Sequence, residues 1–216
     1  MKRGKTNRLL AGLLALVMAL SLCEITLGQS VPAKAAVSLQ NPTTDGNGVT
    51  TWDCVYFGNY WQEDTNGDGK ADQRDEKQPI KWRVLSVEGN DAFLLADKCL
   101  DSQPYNEKFC SWAKSSIRDW LNNKFYNEAF AGVEEGVISK VINNAGNSEE
   151  YARDGDGTLD KVFLLSVEET KMKQYGFIPE FKKMTLTRMA YNTGYARGKE
   201  KSWNDNNNRA TWYLRT

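Results

Sequence analysis

Alternation of apolar and polar residues in the first half of the chain predicts β-strands. TWDCVYFGNYW is rich in aromatic and β-branched residues, which predicts a strand with a bend at Gly58. In IKWRVLSV the same alternation continues, and the residues it places toward the core are Ile80, Trp82, Val84 and Val87. The turn sequence EGND at 88–91 then leads into AFLLA, so we expect a hairpin here.

A spacing of about 3.6 residues predicts the main helix, which begins near Ser115 and Ser116. Ser116 is predicted to cap it, because Asp119 follows three residues later in a capping-box arrangement. The apolar residues that share one face of this helix are Ile117, Trp120, Leu121 and Phe125. We expect this stripe to pack in the core.

The second half of the chain has weaker patterns. VISKVI predicts a short strand, and KVFLLS predicts a buried strand ending at Ser166, where SVEE supplies a second capping box for a short helix through about Tyr175. TLTRMAYNTGYARG predicts irregular structure with at most a short helix, SWNDNNNRA a loop and TWYLRT a last strand. Together these elements predict an α+β fold of β-hairpins, one main amphipathic helix and long irregular loops.

The N-terminus has the pattern of a targeting segment. Basic KRGKTNR precedes apolar LLAGLLALVMALSL, and Ala33-Lys34-Ala35 has the form of a cleavage site, which predicts a signal peptide over residues 1–35. The apolar run is shorter than the roughly 20 residues of a membrane-spanning helix. We therefore expect a secreted, extracellular protein with no membrane span after processing. Residues 36–50 are polar and aperiodic and predict a linker, and residues 51–216 a single domain.

Charge argues against a nucleic-acid partner. The chain holds 28 basic and 28 acidic residues, and loss of residues 1–35 leaves 23 basic and 27 acidic residues, a net charge of −4. The mature chain has no basic cluster of the kind that binds a phosphate backbone.

Histidine and cysteine usage restricts the chemistry. The chain contains no histidine, which excludes histidine zinc sites and histidine-dependent triads. Three cysteines follow residue 35, namely Cys54, Cys99 and Cys110. Cys99 and Cys110 could pair in an oxidising compartment, or all three could be half-buried small apolar residues.

The segment DTNGDGKADQRD, residues 64–75, has the spacing of a calcium-binding loop. Gly69 falls at position 6, where an EF-hand loop turns sharply. The predicted ligands are the side chains of Asp64, Asn66, Asp68, Asp72 and Asp75 and the carbonyl of Lys70. The spacing also resembles dockerin-type loops, which carry Asp at position 12. We therefore expect bound calcium, with a solvated acidic turn as the alternative.

Two further sets of residues are candidates for binding. Asp154, Asp156 and Asp160 in DGDGTLD offer a possible second metal site, although Ala152 at its first position cannot ligate and an Asx-rich turn is the favoured alternative. Trp61 and Trp203 are the aromatic residues expected to be exposed for ligand binding. Aromatic faces suit sugar rings, and the polar SWNDNNNR loop could hydrogen-bond their hydroxyl groups.

Several stretches, taken in order, resemble one family. VYFGNYWQ, PIKWRVLSVEGNDAFLLADKCLDSQPYNE, WAKSSIRDWLNNKFYNEAF, DKVFLLSVEE, YARG and WYLRT resemble the secreted bacterial family called domain of unknown function 6273, common in Firmicutes, over residues 52–216. The resemblance implies a fold similar to C-type lectins and formylglycine-generating enzymes. Because family members continue past the motif that resembles WYLRT, we expect the chain to lack the C-terminal part of the family domain.

These observations favour a secreted, non-catalytic module that binds a glycan or a cell-surface ligand and has a calcium-stabilised loop. One alternative is an enzyme, either a hydrolase or one of the formylglycine-generating type, although Cys99 and Cys110 do not fall in the late motif that carries the active-site cysteines of that family. The carboxylates form no recognisable acid–base pattern in the sequence. Another alternative is a structural piece or a truncated gene fragment.

Overall fold

The computed structural model describes residues 38–143, 157–179, 187–199 and 209–215. Its first elements are strands β1 (Thr43–Thr44) and β2 (Thr50–Thr51), which pair antiparallel. In the turn between them, the Asp45 carboxylate accepts hydrogen bonds from the backbone N–H groups of Asn47 and Val49. The segment predicted as a linker therefore carries a short hairpin.

Three antiparallel strands form the main sheet, in the order β3 (Cys54–Tyr60), β4 (Gln78–Glu88) and β5 (Asp91–Ala96). The predicted hairpin is confirmed, because Glu88 pairs with Asp91 across a two-residue turn. The acidic segment 64–75 connects β3 to β4, so it lies between two strands as the sequence predicted.

The predicted bend in β3 is confirmed at Gly58. This residue has φ +70°, and the pairing of β3 with β4 shifts register between Tyr56 and Asn59. A Cβ atom at Gly58 would lie 2.6 Å from the Phe130 ring. Glycine is therefore required here both by the left-handed backbone and by the close approach of the ring.

The core face of β4 differs from the prediction at one position. Ile80, Trp82 and Val84 are buried as expected, whereas Val87 is only half-buried and Leu85 is fully buried. The pairing of β4 with β5 shifts register between Val84 and Ser86. Because an irregularity of this kind reverses the alternation of faces, Leu85 also turns into the core, while Val87 packs against the core as a partly buried residue.

The main helical region runs from residue 112 to 137. A 3₁₀ turn (Trp112–Lys114) precedes α1 (Ser116–Trp120), a π-helical turn (Leu121–Phe125), α2 (Tyr126–Ala129) and α3 (Val133–Val137). The predicted apolar face is confirmed: Ile117, Leu121 and Phe125 are buried, and Trp120 is half-buried.

The helix cap lies one residue earlier than predicted. Ser115 is the N-cap of α1, and its Oγ accepts a hydrogen bond from the backbone N–H of Arg118 at 3.3 Å. Ser116 instead donates from its Oγ to the carbonyl of Tyr105 at 3.2 Å. An N-cap residue has an extended backbone, and of the two adjacent serines it is Ser115 that does, with φ −76° and ψ 143°. The path of the chain before the helix decides which serine takes this conformation.

Small sheets join distant parts of the chain. β6 (Lys98–Cys99) pairs in parallel with β9 (Tyr191–Asn192), and β7 (Val141–Asn143) pairs antiparallel with β8 (Thr158–Asp160). The strand predicted from VISKVI is therefore confined to its last two residues and Asn143. After β9 comes helix α4 (Gly194–Lys199), which agrees with the prediction of at most a short helix in TLTRMAYNTGYARG.

KVFLLS, residues 161–166, is buried as predicted but is not a strand. The Asn122 side chain accepts hydrogen bonds from the backbone N–H groups of Lys161 and Val162 and donates to the Val162 carbonyl. Arg215 donates from its side chain to the Leu164 carbonyl. The carbonyls of Leu165 and Ser166 accept instead from the backbone N–H groups of Arg215 and Thr170. This segment thus combines side-chain partners with single backbone contacts in place of the ladder of a neighbouring strand.

The second capping box is confirmed. Ser166 Oγ accepts from the backbone N–H of Glu169 at 3.1 Å, and Glu169 Oε2 accepts from the backbone N–H of Ser166 at 2.8 Å. The helix that follows consists of two 3₁₀ turns, Glu169–Lys171 and Lys173–Tyr175.

The C-terminal segment 209–215 is not the predicted strand; within the described part it makes one isolated bridge, between Tyr191 and Arg209. Trp212 and Leu214 nevertheless pack against the core.

The α+β class is confirmed by the mixture of small sheets and helices. The predicted signal peptide and residues 202–208 of the predicted SWNDNNNRA loop lie outside the described residues. None of the helices that the structure describes has the length and apolar character to cross a bilayer.

Candidate functional site

An open cleft of about 1090 Å³ lies beside the edge of the main sheet. One wall comes from β5, β6 and the chain that follows them, and a second from the main helix. The remaining walls are formed by residues 162–165, 187–190, 192, 198–199 and 211–213. Segments that are far apart in the sequence therefore meet at this cleft.

Aromatic side chains line part of the cleft. Trp120 and Trp212 are half-buried there, and Tyr213 is 59% exposed. The Tyr213 ring centroid lies 5.9 Å from that of Tyr105, and the Trp212 indole N–H donates to the Arg188 carbonyl at 3.3 Å. These contacts hold the aromatic rings in position at the surface of the cleft.

A buried carboxylate organises one side of the cleft. Asp101 accepts hydrogen bonds from the Tyr60 hydroxyl at 2.7 Å and from Gln103 Nε2 at 3.0 Å. The Lys199 ammonium lies 2.9 Å from Asp101 Oδ2, with side-chain exposures of 34% for Lys199 and 4% for Asp101. The charge of Lys199 is therefore compensated while part of its side chain stays accessible.

The protonation of this cluster follows from its partners. Burial acts to lower the pKa of Lys199, but the neighbouring Tyr195 and Asp101 outweigh that effect and raise the pKa overall. Burial, and then the charge of Asp101, raise the pKa of Tyr60. At neutral pH the lysine is therefore charged and the Tyr60 hydroxyl is a hydrogen-bond donor.

Two further arginines line the cleft. Arg83 pairs with Asp97 at 2.6 Å and lies 5.4 Å from the Trp52 ring centroid. Arg188 donates from Nε to the Thr170 carbonyl at 2.6 Å and from Nη2 to the Ile178 carbonyl at 2.9 Å. Its Nη1 is buried without a hydrogen-bond partner, and burial lowers the pKa of the guanidinium.

In the acidic loop, side-chain oxygens accept hydrogen bonds from nearby backbone N–H groups. Asp64 accepts from the N–H groups of Gly67 and Gly69, both at 2.7 Å. Asn66 accepts from Asp68, and Asp68 accepts from Lys70, each two residues further on. These local hydrogen bonds give the segment a compact conformation, and Ala71 packs it against the core.

Asp75 is the acceptor that closes the acidic loop. It is 6% exposed, and its carboxylate accepts hydrogen bonds from the N–H groups of Thr65, Asn66 and Asp72 and from the Thr65 hydroxyl. The hydrogen bond from Asp72, followed by the others, lowers the pKa of Asp75. The predicted position-12 ligand is thus engaged by the backbone of its own loop.

Arg74 occupies the space between two of the predicted ligands. Its Nη2 lies 2.7 Å from Asp68 Oδ2 and 2.7 Å from Asp72 Oδ2. The hydrogen bonds from Arg74 lower the pKa of Asp72. In the described part of the chain, no group of three or more His, Cys, Asp or Glu side chains is arranged to hold a metal ion.

The second candidate metal site is described only at Asp160, because Asp154 and Asp156 lie outside the described residues. Asp160 is fully buried and pairs with Arg118 at 2.6 Å. Its other oxygen accepts from Trp112 Nε1, Asn143 Nδ2 and the Thr158 hydroxyl. The contacts of Asp160 therefore join β7, β8 and the main helical region.

The two tryptophans predicted to bind ligand have different outcomes. Trp61 is half-buried, and its ring packs against Tyr60 and Tyr195 with Lys77 Nζ 4.4 Å from the ring centroid. It does not line the cleft. Trp203 lies outside the described residues. The structure therefore does not bring the two together in a described site.

The three described cysteines differ in exposure and in their position relative to the cleft. Cys54 is exposed and Cys99 and Cys110 are half-buried, and none of these three described cysteines forms a disulfide. Cys99 lines the cleft, whereas Cys110 does not.

Sequence reasoning did not predict the cleft. Asp101, Arg188 and Lys199 show no local pattern that sets them apart, and Trp212 and Tyr213 were assigned to a strand. The sequence carries one signal for the cleft. TWYLRT contains aromatic residues but has no evident partner strand, which is compatible with a place at a binding surface.

Comparison with known proteins places the chain in a family. No curated protein and no solved structure gives a significant match. The model of the family described as "Domain of unknown function (DUF6273)" matches residues 89–216, which is 128 of the 216 residues. The match contains every cleft residue except Trp82 and Arg83 and excludes the acidic loop. The chain therefore belongs to the domain of unknown function 6273 family.

Proposed function

We propose that this protein is an exported, non-catalytic module that binds a glycan or a similar cell-surface ligand in the cleft, with a loop stabilised by calcium. The C-type-lectin-like fold implied by the resemblance is part of this proposal. The observation that carries it is the cleft itself, which combines exposed aromatic surface with fixed polar groups.

The size and lining of the cleft support ligand binding. Ligand sites in proteins are typically concavities of roughly 300–1,000 Å³ with mostly apolar walls and a few polar groups in fixed positions. Trp120, Trp212 and Tyr213 offer aromatic surface, while Lys199 and Gln103 are held by Asp101. A sugar ring can pack on the aromatic faces and hydrogen-bond to these polar groups.

The acidic loop supports the calcium part of the proposal. The residues that would hold the ion are Asp64, Asn66, Asp68, Asp72 and Asp75, with the Lys70 carbonyl. All are oxygen donors of the type that calcium prefers. Arg74 Nη2, which forms ion pairs with both Asp68 and Asp72, marks a position where a cation is favourable. Bound calcium would supply the positive charge that Arg74 supplies here, and Arg74 would turn to solvent.

Binding in the cleft can be tested with Tyr213→Ala. The mature chain is applied to a glycan array and to insoluble polysaccharides, and bound ligands are then measured by calorimetry. Because Tyr213 is exposed, its loss should leave folding unchanged while it lowers affinity about tenfold or more. Tyr56→Ala is the matched control, since Tyr56 is 66% exposed and does not line the cleft.

The expected result is a ligand that binds the wild type and Tyr56→Ala equally and Tyr213→Ala weakly. Equal binding by all three proteins would place the ligand elsewhere. The absence of binding to any glycan or cell-surface preparation would contradict the proposed function.

Calcium stabilisation is tested by calorimetry of the mature chain with calcium, magnesium or a chelator. A ligand that binds only the folded state raises the melting temperature, so calcium should raise it more than magnesium. Arg74→Ala should bind calcium more tightly, because the competing cation is gone. No response to calcium in either protein would remove the calcium part and leave the cleft proposal intact.

A further inference from the structure

One short helix connects the acidic loop to the cleft. Helix α4 (Gly194–Lys199) ends in two residues that line the cleft, Gly198 and Lys199. The side chains of Tyr195 and Ala196 are buried, so the helix is packed into the protein along its length. A change in the position of α4 would therefore reach the wall of the cleft.

The start of α4 is bound by the residues that lead into the acidic loop. The backbone N–H of Gly194 donates to Glu63 Oε2 at 3.2 Å, and that of Tyr195 donates to the Gln62 carbonyl at 3.0 Å. Glu63 directly precedes Asp64, the first predicted calcium ligand. The same stretch of chain therefore enters the loop and holds the helix.

The middle of the acidic loop packs against the same helix. A Cβ atom at Gly194 would lie 3.2 Å from Ala71 Cβ, and one at Gly198 would lie 3.8 Å from the Ala71 carbonyl. The two glycines are four residues apart, so they lie on one face of the helix, which is the face toward Ala71. Because neither glycine has a side chain, the loop approaches the helix closely. Ala71 stands between Lys70 and Asp72, which are both predicted ligands.

The far end of α4 carries the cation of the Asp101 cluster. Lys199 Nζ lies 2.9 Å from Asp101 Oδ2, and both residues line the cleft. Asp101 is also fixed by the Tyr60 hydroxyl, which belongs to β3 and not to α4. A displacement of α4 would therefore move Lys199 relative to Asp101 and change the polar wall of the cleft.

A second connection between the loop and the cleft is weaker. Glu63 Oε1 pairs at 3.2 Å with Lys98, which also lines the cleft. These two side chains are 47% and 45% exposed, and ion pairs at this exposure contribute little because water and salt screen them. The packed contact through α4 is therefore the stronger of the two connections.

We infer that the acidic loop regulates the cleft, with Ala71, Gly194 and Gly198 as positioning residues that act through Lys199. This inference rests on the proposed function, because it names the regulation of the same cleft by the calcium loop. Calcium bound in the loop strengthens ligand binding in the cleft, and a ligand in the cleft strengthens calcium binding by the same factor, since coupling between two binding sites is reciprocal.

The loop has two arrangements that differ at the helix contact. In the structure, Arg74 Nη2 pairs with the carboxylates of Asp68 and Asp72. Calcium would replace this cation and draw the Asp72 carboxylate and the Lys70 carbonyl toward one ion. Ala71 joins these two residues, so it moves with them and shifts α4.

The first test follows Lys199 and needs no cleft ligand. The mature chain is treated with an amine-acetylating reagent in calcium or in chelator, and mass spectrometry gives the acetylation rate of each lysine. Calcium should slow acetylation of Lys199 about fivefold or more, because a fixed α4 holds its ammonium on Asp101. Hydrogen exchange of the α4 amides should slow as well. Lys171 is the internal control, because it is exposed and does not line the cleft, and its rate should stay the same.

The second test follows binding in the cleft. The glycan array and the insoluble polysaccharides are probed with the mature chain in calcium and in chelator. The bound signal should be about fivefold or more weaker in chelator. A loop that only stabilises the fold would raise the melting temperature with calcium and leave the binding of the folded protein unchanged.

Variants at the contact assign the coupling to α4. Gly194→Ala places a Cβ against Ala71 and Glu63 Oε2, which separates the helix from the loop, and Ala71→Gly removes the contact from the other side. In both variants calcium should still raise the melting temperature, but the Lys199 acetylation rates in chelator and in calcium should become nearly equal. Gly136→Ala is the matched control, because Gly136 lies in α3 and no described atom lies within 4 Å of an added Cβ. Circular dichroism checks that each variant is folded, and the wild-type comparison decides the question if a variant is not.

Three results overturn the inference. A rise in melting temperature with calcium, without any change at Lys199 or in the α4 amides, would remove the regulation and leave the proposed function in place. A calcium effect on Lys199 that persists in folded Gly194→Ala and Ala71→Gly would assign the coupling to another contact. The absence of any response to calcium would remove the inference together with the calcium part of the proposed function, while glycan binding in the cleft would stand.

Discussion

The β3–β5 sheet and the segment 157–179 bury similar apolar side chains but satisfy their backbones in different ways. In the sheet, strand residues pair across two antiparallel ladders. In the segment, pairing with β7 ends at Asp160, and residues 166–177 form backbone hydrogen bonds within their own turns. Between them, residues 161–165 are held by side chains from other elements and by the backbone N–H of Arg215, which donates to the Leu165 carbonyl. Asn122 contacts the backbone of Lys161 and Val162, Arg215 that of Leu164, and Arg188 that of Thr170.

This difference explains why the two regions were predicted with different success. A ladder requires a neighbouring strand, and a strand with one buried face shows an alternating pattern in its own sequence. A segment held by side chains needs only buried apolar residues locally, and its partners can be anywhere in the chain. A buried apolar run such as KVFLLS therefore predicts burial without predicting a strand.

The largest effect is expected for Asp160→Ala, which removes the buried acceptor that joins β8 to the main helical region. The change leaves Arg118 without its carboxylate and the Asn143 side chain without this acceptor, while Trp112 keeps only the Thr158 hydroxyl. Loss of one partner of a buried ion pair costs about 3–5 kcal/mol. Urea denaturation followed by fluorescence measures the change in unfolding free energy.

The control for Asp160→Ala is Asp119→Ala, an exposed aspartate on α1 that accepts one hydrogen bond from Asn123. Its unfolding free energy should change by less than about 0.5 kcal/mol. Similar effects for the two variants would show that Asp160 does not hold this region together.

Gly58→Ala tests the sheet region and should have the second-largest effect. The backbone at Gly58 has φ +70°, and an added Cβ would meet Phe130 at 2.6 Å. A left-handed residue with a Cβ costs roughly 1–2 kcal/mol, and overpacking adds about 1–3 kcal/mol. Thermal and urea unfolding of the variant measure the sum.

Gly89→Ala separates the two contributions to this effect. Gly89 has φ +60°, but nothing lies within 4 Å of an added Cβ. Only the backbone strain applies there, so Gly58→Ala should be about 1–3 kcal/mol more destabilising than Gly89→Ala. If the two cost the same, Phe130 moves aside freely and the packing at the bend is looser than described.

Asn122→Ala tests whether side chains hold segment 161–166 in place of a strand. The variant removes the acceptor for Lys161 and Val162 N–H and the donor to the Val162 carbonyl, which should cost about 1–3 kcal/mol. Amide hydrogen exchange of residues 161 and 162 should accelerate selectively. Asn123→Ala serves as the control, because Asn123 is the exposed neighbour of Asn122. If the amides of residues 161 and 162 also exchanged faster in Asn123→Ala, the local role of Asn122 would be contradicted.

The smallest effect is expected in the acidic loop, whose hydrogen bonds are local. Hydrogen bonds from the Asp72, Thr65 and Asn66 backbones lower the pKa of Asp75 in the folded state. The stability that this carboxylate contributes is therefore present above its ordinary pKa near 3.8 and is lost as the pH falls through the lower folded value.

Asp75→Asn should consequently lower the melting temperature at pH 7 and have little effect at pH 2. Calorimetry of both proteins from pH 2 to pH 7 in the presence of a chelator measures this. A difference between wild type and variant that stays constant over the whole range would rule out ionisation of Asp75 as its source.

Much of the secondary structure could be predicted because it depends on neighbouring residues. The bend at Gly58, the turn at 88–91, the apolar face of the main helix and the capping box of Ser166 and Glu169 are each encoded within about ten residues. The burial of Leu85 beside Val84 was not predictable in this way, since a register shift between paired strands produces it. The choice of Ser115 over Ser116 as cap likewise depends on the path of the preceding chain.

The candidate site shows the same division. Sequence spacing identified the acidic loop, whose hydrogen bonds the structure shows to lie within residues 64–76. It could not identify the cleft, because the interacting residues Asp101 and Lys199, or Trp212 and Arg188, are separated by 98 and 24 positions. Trp61, chosen as an exposed aromatic, is half-buried beside Tyr195.

By itself the sequence determined which segments are buried, where the main sheet turns, and that a compact acidic loop joins β3 to β4. These features follow from periodicity, turn residues and Asx side chains acting over a few positions. Only the tertiary structure decided that KVFLLS is not a strand, that Asp160 is a buried partner of Arg118, and that a charged aromatic cleft exists. Each of these depends on side chains brought together from distant positions, and local sequence patterns carry no information about which distant side chains meet.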